Sequence, residues 1–337
     1  MADKELKDMS VQQPADVPKK KELSERQLEK LAQKRKGPKY KTSVGDKVVS
    51  VITYVVYSFF ALVCVYPFYY VFINTISSND LSKRGKIILY PREIHFENYK
   101  SVMDIPGLFH AFEISILRTV IGTILTVIVA AFLGYMFTRE TLWKKKLWYR
   151  FVIATMYFNA GIIPWFLTMD NLGLRNSFWA YIFPMIVSPF YIVLCKTFVE
   201  SVPKELQEAA ELDGAGTLRI FWSVIRPVIK PIIATVAIFA AVNQWNAFQD
   251  TLLLITDPKL YTLQFMLYNY INSASSLKSV ISSTGSSASA AATLAHAATT
   301  TSVRMTVTVI VVTPIILVYP FFQRYFTKGI MIGAVKG

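Results

Sequence analysis

An all-helical polytopic membrane protein of six spans, with both termini on the cytoplasmic side, is the fold class this sequence predicts. Three observations carry it. Hydrophobic residues make up 53% of the 337 and charged residues only 17%, against roughly 25% in soluble domains. The apolar residues gather into uncharged stretches at Val48–Ser78, Thr119–Thr138, Phe151–Met169, Asn176–Cys195, Pro231–Gln249 and Met305–Gln323, each of 19 to 31 residues. A helix needs about 20 such residues to cross a bilayer. The basic residues alternate from connection to connection: 13 lie in the first 47 residues, five in Arg139–Arg150, five in Lys196–Lys230 and three from Arg324 onward. Cytoplasmic loops carry that excess, and six spans with two inner ends agree in parity. The net charge of +14 is therefore topology and contact with anionic lipid rather than a nucleic-acid site. A soluble enzyme, a disulfide scaffold and a disordered chain are excluded by the same pattern.

Taken in order, residues 1–47 form a basic cytoplasmic tail without the apolar core of a signal peptide. Leu23 to Gln33 has the pattern of a surface helix, and the tail reads either as solvated chain or as a contact with lipid or a partner. The first span, 48–78, is longer than a bilayer needs and carries Pro67 in its outer half. Residues 79–111 form an aromatic-rich outer connection with a turn at Tyr90-Pro91, and the region 112–323 holds the remaining five spans. In the second span, Phe112 to Thr138, Arg118 is expected near the outer interface. The third contains Asn159-Ala160-Gly161-Ile162-Ile163-Pro164, a spacing of Gly and Pro that predicts a broken or kinked helix, tolerated where backbone faces protein or a cavity. Asp170–Arg175 is a tight outer turn, and the fourth span ends at Lys196. Ser273–Ser302 holds 23 Ser, Ala or Thr in 30 residues. So many hydroxyls enter hydrocarbon poorly, and the segment is expected outside as a loop with a short helix at Ala288–Ala298. Residues 324–337 form an inner tail.

Catalytic chemistry is poorly provided for. Cys64 and Cys195 both fall within spans, and His95, His110 and His296 are far apart in outer connections. There is no HExxH metal motif and no Walker A phosphate loop. No catalytic residue, no metal site and no cofactor are expected in this chain, so any ATP it depends on is bound by another.

The connection 197–230 is unlike the others. Pro203 suits a first helical position, and Glu205 and Glu208 favour the positive end of a helix dipole. Leu206, Ala209 and Ala210 make one apolar face. Asp213-Gly214 interrupts the helix, glycine being the usual residue for a left-handed terminus. A second amphipathic helix, with Leu218, Phe221, Val224 and Ile225 on one side, ends at Pro227, and Pro231 opens the fifth span. Two short helices meeting at a glycine corner on the inner surface make a docking shape; a plain interfacial linker is the other reading of the same pattern.

Glu208-Ala209-Ala210-x-x-Asp213-Gly214-Ala215, followed by Phe221 and Pro227, resembles the EAA loop of binding-protein-dependent ABC importer permeases. Asn243-Gln244-Trp245-Asn246 and the run from Tyr319 through Gly329 to Gly337 are similar to the carbohydrate branch, the second, maltose-type permease and its complex-polysaccharide relatives. The resemblance covers about residues 48–337 and departs at Arg226, where the family has Leu. It implies a type I ABC importer permease fold in the bacterial cytoplasmic membrane, paired with a homologous sister permease. It also implies two cytoplasmic ATPase subunits that bind ATP and Mg, and an external solute-binding protein that delivers a carbohydrate. By the resemblance, Glu208 pairs with a basic residue of the ATPase, Ala209 and Ala210 fit its groove, and Asp213, Gly214 and Ala215 form the turn.

Polar residues inside spans usually face protein or water. Asn243, Asn246 and Asp250 follow an i, i+3, i+7 spacing on one face of the fifth span, with Gln244, Trp245 and Phe248 beside them. Amides with aromatics suit a sugar, whose hydroxyls need hydrogen bonds and whose C–H faces pack on rings. Asn159 and Trp165 of the third span complete the candidate pathway. Interhelical hydrogen bonding and interfacial anchoring are the alternative roles for these residues. A polytopic membrane enzyme would need clustered carboxylates or metal ligands at one face, and a secondary carrier would need intramembrane charges, which these spans almost lack.

Overall fold

The computed structural model describes residues 43–272, 303–318 and 320, and the regular structure among them is helical throughout. The expected loop at 273–302 with its short helix, the basic tail to residue 42 and the carboxyl-terminal run from Phe321 lie outside the described residues. Two units are distinguished, residues 1–64 and 65–337. Within the first, residues 43–64 begin helix α1 (Val44–Thr75). Ser43 stands ahead of it, and Asp46 reaches back to accept the Ser43 N–H at 2.9 Å, half of a capping box.

The second unit holds the rest. At 32 residues, α1 is about 48 Å long, starts four residues earlier than the apolar run predicts and continues through Pro67. Its end is fixed by a buried polar knot. Asn74 donates to Tyr70 O at 2.8 Å and accepts from Ser82 Oγ at 2.7 Å, while Asn98 donates to Thr75 O at 2.8 Å. These bonds tie α1 to the short helices α2 (Asn79–Lys83) and α3 (Glu97–Met103) of the first connection.

Helix α4 (Leu108–Met136) starts at Gly107, whose φ of 81° is left-handed, and it is the second helix long and apolar enough to cross a membrane. The third expected span is broken, as the Asn159–Pro164 sequence predicts. Helices α5 (Lys145–Tyr157) and α6 (Ile162–Asn171) meet at 120°, with Gly161 at φ +88° and its N–H held by Asn159 Oδ1 at 2.9 Å. The fourth is bent by 45° between α7 (Phe183–Ile186) and α8 (Pro189–Glu200), and α8 runs one turn past Lys196, which pairs with Glu200 at 2.8 Å.

Beyond it come α9 (Glu205–Leu212), α10 (Thr217–Ile220), a π-helical stretch Phe221–Ile225 and α11 (Arg226–Val228). Two local expectations are corrected. Pro203 precedes α9 rather than opening it. Pro227 does not end the second helix: it has no N–H to give the turn before it, and the chain passes through a wider π register into one further turn. An 86° bend then leads into α12 (Lys230–Asn246). The expected fifth span breaks at Ala247-Phe248 before α13 (Gln249–Leu254), so Asp250 stands on a different helix from Asn243 and Asn246. Helix α14 (Val303–Val318) is apolar but shorter.

Helices α4, α8 and α12 form the core, with Tyr135, Ile192, Cys195, Phe221, Ile225 and Val236 buried together. Gly134 lets α4 and α8 approach closely, since a Cβ there would stand 2.7 Å from Cys195 Cβ and 2.8 Å from the Lys196 backbone nitrogen.

Candidate functional site: a polar cavity and a surface corner

The breaks in two helical pairs open a cavity of about 610 Å³. Asn159 and Trp165 come from the α5–α6 break, Asn243 and Asn246 from the end of α12, and Asp250 from the start of α13. A broken helix leaves side chains and backbone amides pointing inward where a straight one presents a closed surface. Five of the seven residues expected along a pathway therefore line one space. The other two face elsewhere. Gln244 is buried against Gly122, where a Cβ would lie 2.4 Å from Gln244 Nε2. Trp245 packs edge-on against Phe112 at 6.5 Å and donates Nε1–H to Val311 O at 2.9 Å. Successive helical residues point about 100° apart, and only the i, i+3 pair shares the cavity side.

Behind the wall lies a group for which the sequence pattern names no partner. Arg118 is 1% exposed, buried inside the protein. Its Nη2 donates to Asp250 Oδ2 at 2.5 Å and its Nη1 to Oδ1 at 3.2 Å. Ala247 O accepts from Nη1 at 3.1 Å, and Gln244 Oε1 accepts from Nε and Nη2 at 3.3 and 3.2 Å. The guanidinium also stacks 4.4 Å above the Tyr181 ring. Burying a charge is tolerated only with such full pairing. The Ala247 carbonyl is free to accept because the helix breaks there, so the ion pair and the break support one another. The few charges that the spans carry are thus put together: Arg118 and Asp250 form a buried pair, and a lone Arg within an apolar run was the signal for it.

The corner at Gly214 is a Schellman motif. Ala215 N–H donates to Ala210 O at 3.0 Å and Gly214 N–H to Glu211 O at 2.9 Å. Gly214 has φ +77°, and a Cβ placed there would meet nothing within 4 Å, so backbone conformation alone calls for glycine. Ala210 and Ala215, the pair that such a motif brings into contact, rest partly buried on the core. Glu208, Ala209 and Asp213 are exposed. Ala210, expected in a partner's groove, therefore faces its own chain. Leu218, placed on one side of the helix with Phe221 and Ile225, is 62% exposed while those two are buried, and Ile220 is buried with them. Leu212, at 90% exposure, is an outward apolar residue that the helical pattern did not single out. Arg226 lies 4.9 Å over the Trp222 ring, while neighbouring Ile225 fills the core.

Helices apolar enough to cross a membrane, a polar cavity between them and an exposed glycine corner are features that suit a transport permease. A family model described as the binding-protein-dependent transport system inner membrane component matches residues 37–332, and the chain belongs to that family. The polygalacturonan/rhamnogalacturonan transport system permease protein YtcP of Bacillus subtilis (strain 168) is 30% identical over 278 residues, covering 82% of this chain and 94% of that one. Protein LplC of the same organism is 30% identical over 276 residues, covering 82% and 90%. A solved bacterial ABC transporter involved in the import of the acidic polysaccharide alginate matches with a TM-score of 0.70 at 29% identity, over 84% of this chain and 98% of that one. The chain is thus a permease subunit of a binding-protein-dependent ABC importer and not itself an enzyme. Its fold is that of such permeases, and it works with an ATPase, a solute-binding protein and a sister permease.

Proposed function

We propose that this chain is one of two homologous permeases of an ATP-driven oligosaccharide importer in the bacterial cytoplasmic membrane. The observation that carries the reading is the meeting of Asn159, Trp165, Asn243 and Asn246 around one cavity. Amides exchange hydrogen bonds with hydroxyls, and an indole face packs against the C–H face of a sugar ring. Two relatives, YtcP and the alginate importer, carry the names of polysaccharides, which supports the same cargo class. Counting each bent helix pair as one crossing, together with α1, α4 and α14, supports a reading of six spans, in which the Gly214 corner lies inside.

In this reading two ATPase subunits bind ATP and Mg and hold the corners of the two permeases. Glu208, exposed in the first turn of α9, pairs with a basic group of the ATPase, and Ala209 and Leu212 supply apolar contact. Closure of the ATPases on ATP pulls α9, and the permease halves rock between outward and inward openings around the cavity. The binding protein delivers the sugar from outside.

The test is purification of the native complex from membranes, with its subunits and the glycans on its binding protein identified. Recovery of an ATPase, a second permease and an oligosaccharide-loaded binding protein is expected. Recovery of the chain alone, exchanging sugar along an ion gradient without ATP, would overturn the reading.

A further inference from the structure

Two buried arginines hold α4, one in its third turn and one just past its last residue. At the cavity, Arg118 holds Asp250. Farther along, Arg139, three residues past the last of α4, forms an ion pair with Glu211 of α9. Arg139 is 9% exposed, and its Nε has no hydrogen-bond partner among the described residues, so Glu211 is the carboxylate that offsets its burial. Its guanidinium lies 5.9 Å from the Tyr135 ring, which stacks on Phe221 at 5.7 Å. The charged link thus runs between the docking helix and the segment just past α4, on a packed base that includes Tyr135 of the last turn of α4 and holds the arginine in place.

From this geometry we infer that Arg139 is a positioning residue for energy coupling: it makes α9 and α4 move as one when the ATPase pulls on the corner. The inference rests on the importer reading above. Helix α9 has only two turns and sits against the core through small side chains, Ala210 among them. Without a charged link, such a helix pivots at the Gly214 corner and its displacement is lost there. With Glu211 bound to Arg139, the pull enters α4. That helix is about 43 Å long and carries the motion to Arg118, Asp250 and the cavity wall. Glu211 remains half exposed, with 45% of its side chain accessible, so it is placed to respond to a partner seated on α9 while its arginine stays fixed.

The experiment uses the assembled importer in lipid nanodiscs, with spin labels on Phe109→Cys and Ile163→Cys, both exposed positions on α4 and α6. Cys64→Ser is added because Cys64 is exposed and Cys195 buried. Pulsed electron resonance reads the distance between labels before and after trapping with ATP and vanadate. The protein with Arg139 intact is expected to change distance on trapping; if it does not, the importer reading fails and not this inference. With Arg139→Gln or Glu211→Gln, the ATPase is expected to stay bound and to hydrolyse ATP. The ratio of the two conformers in the trapped state is expected to fall about tenfold, an ordinary size for a coupling free energy. The swap Arg139→Glu with Glu211→Arg is expected to restore it. A full distance change in Arg139→Gln overturns the inference. Should Arg139→Gln not assemble, the swap decides: restored assembly and distance change support the link, and a swap that fails in either shows a merely structural pair.

Discussion

Around Asp250 the charged groups are buried and fully partnered, whereas around Gly214 the side chains of Glu208, Asp213, Leu212 and Leu218 face outward. Both regions are built around a break in helical structure. In the first, the freed Ala247 carbonyl is taken up by Arg118, and the break is locked from within. In the second, the Schellman bonds satisfy the backbone locally, and the side chains are left for something else. The contrast separates a wall that must keep its shape from a handle that must be grasped, and it predicts that equal-looking substitutions in the two regions fail in different ways.

The largest expected effect is on the wall. Asp250→Ala leaves Arg118 charged and buried without its carboxylate, a loss of about 3–5 kcal/mol by analogy with broken buried pairs. A lowered thermal unfolding midpoint in detergent and poor assembly should follow. Replacing both Arg118 and Asp250 with leucine should cost less than Asp250→Ala alone. A single Asp250→Ala variant as stable as the parent would show that the pair does not hold the break.

At the handle, stability should hold and coupling should fail. Gly214→Val places a β-branched residue at positive φ, a local cost of order 1–3 kcal/mol, and the complex should insert while its ATPase dissociates or hydrolyses ATP without transport. Because no neighbouring atom crowds Gly214, Gly214→Asn should be largely tolerated, asparagine being the non-glycine residue most at ease in this region. Equal damage from valine and asparagine, read by ATPase co-purification, would point to contact with the partner rather than to backbone conformation. Glu208→Ala should have the smallest effect, roughly 1 kcal/mol or less for an exposed ion pair, seen as a modest loss of ATPase affinity that is hidden at high salt.

The handle was far more legible in the sequence than the wall. Its signals are local: Glu205 and Glu208 at a helix start, and Asp213-Gly214 at its end, all set by backbone chemistry within one turn. The break at Asn159–Pro164 was legible for the same reason. Arg118 and Asp250 are 132 residues apart, and nothing in either neighbourhood specifies the other, so their pairing was not legible. Gln244 and Trp245 were drawn into the pathway by adjacency to Asn243 and Asn246, although helical geometry turns adjacent residues to different sides. Leu218 does not share the burial of Phe221 and Ile225, because the π stretch from Phe221 departs from the regular helical period that grouped them.

The central claim is that Asn246 lines a hydrated route whose access is switched by nucleotide at the Gly214 corner. Asn246→Cys in the assembled importer, in the Cys64→Ser background, exposes that claim to a membrane-impermeant thiol reagent applied to one side at a time. Without nucleotide, labelling is expected from one side only; after trapping with ATP and vanadate, it is expected to move to the other. Labelling that ignores nucleotide, or no labelling from either side, would contradict the account.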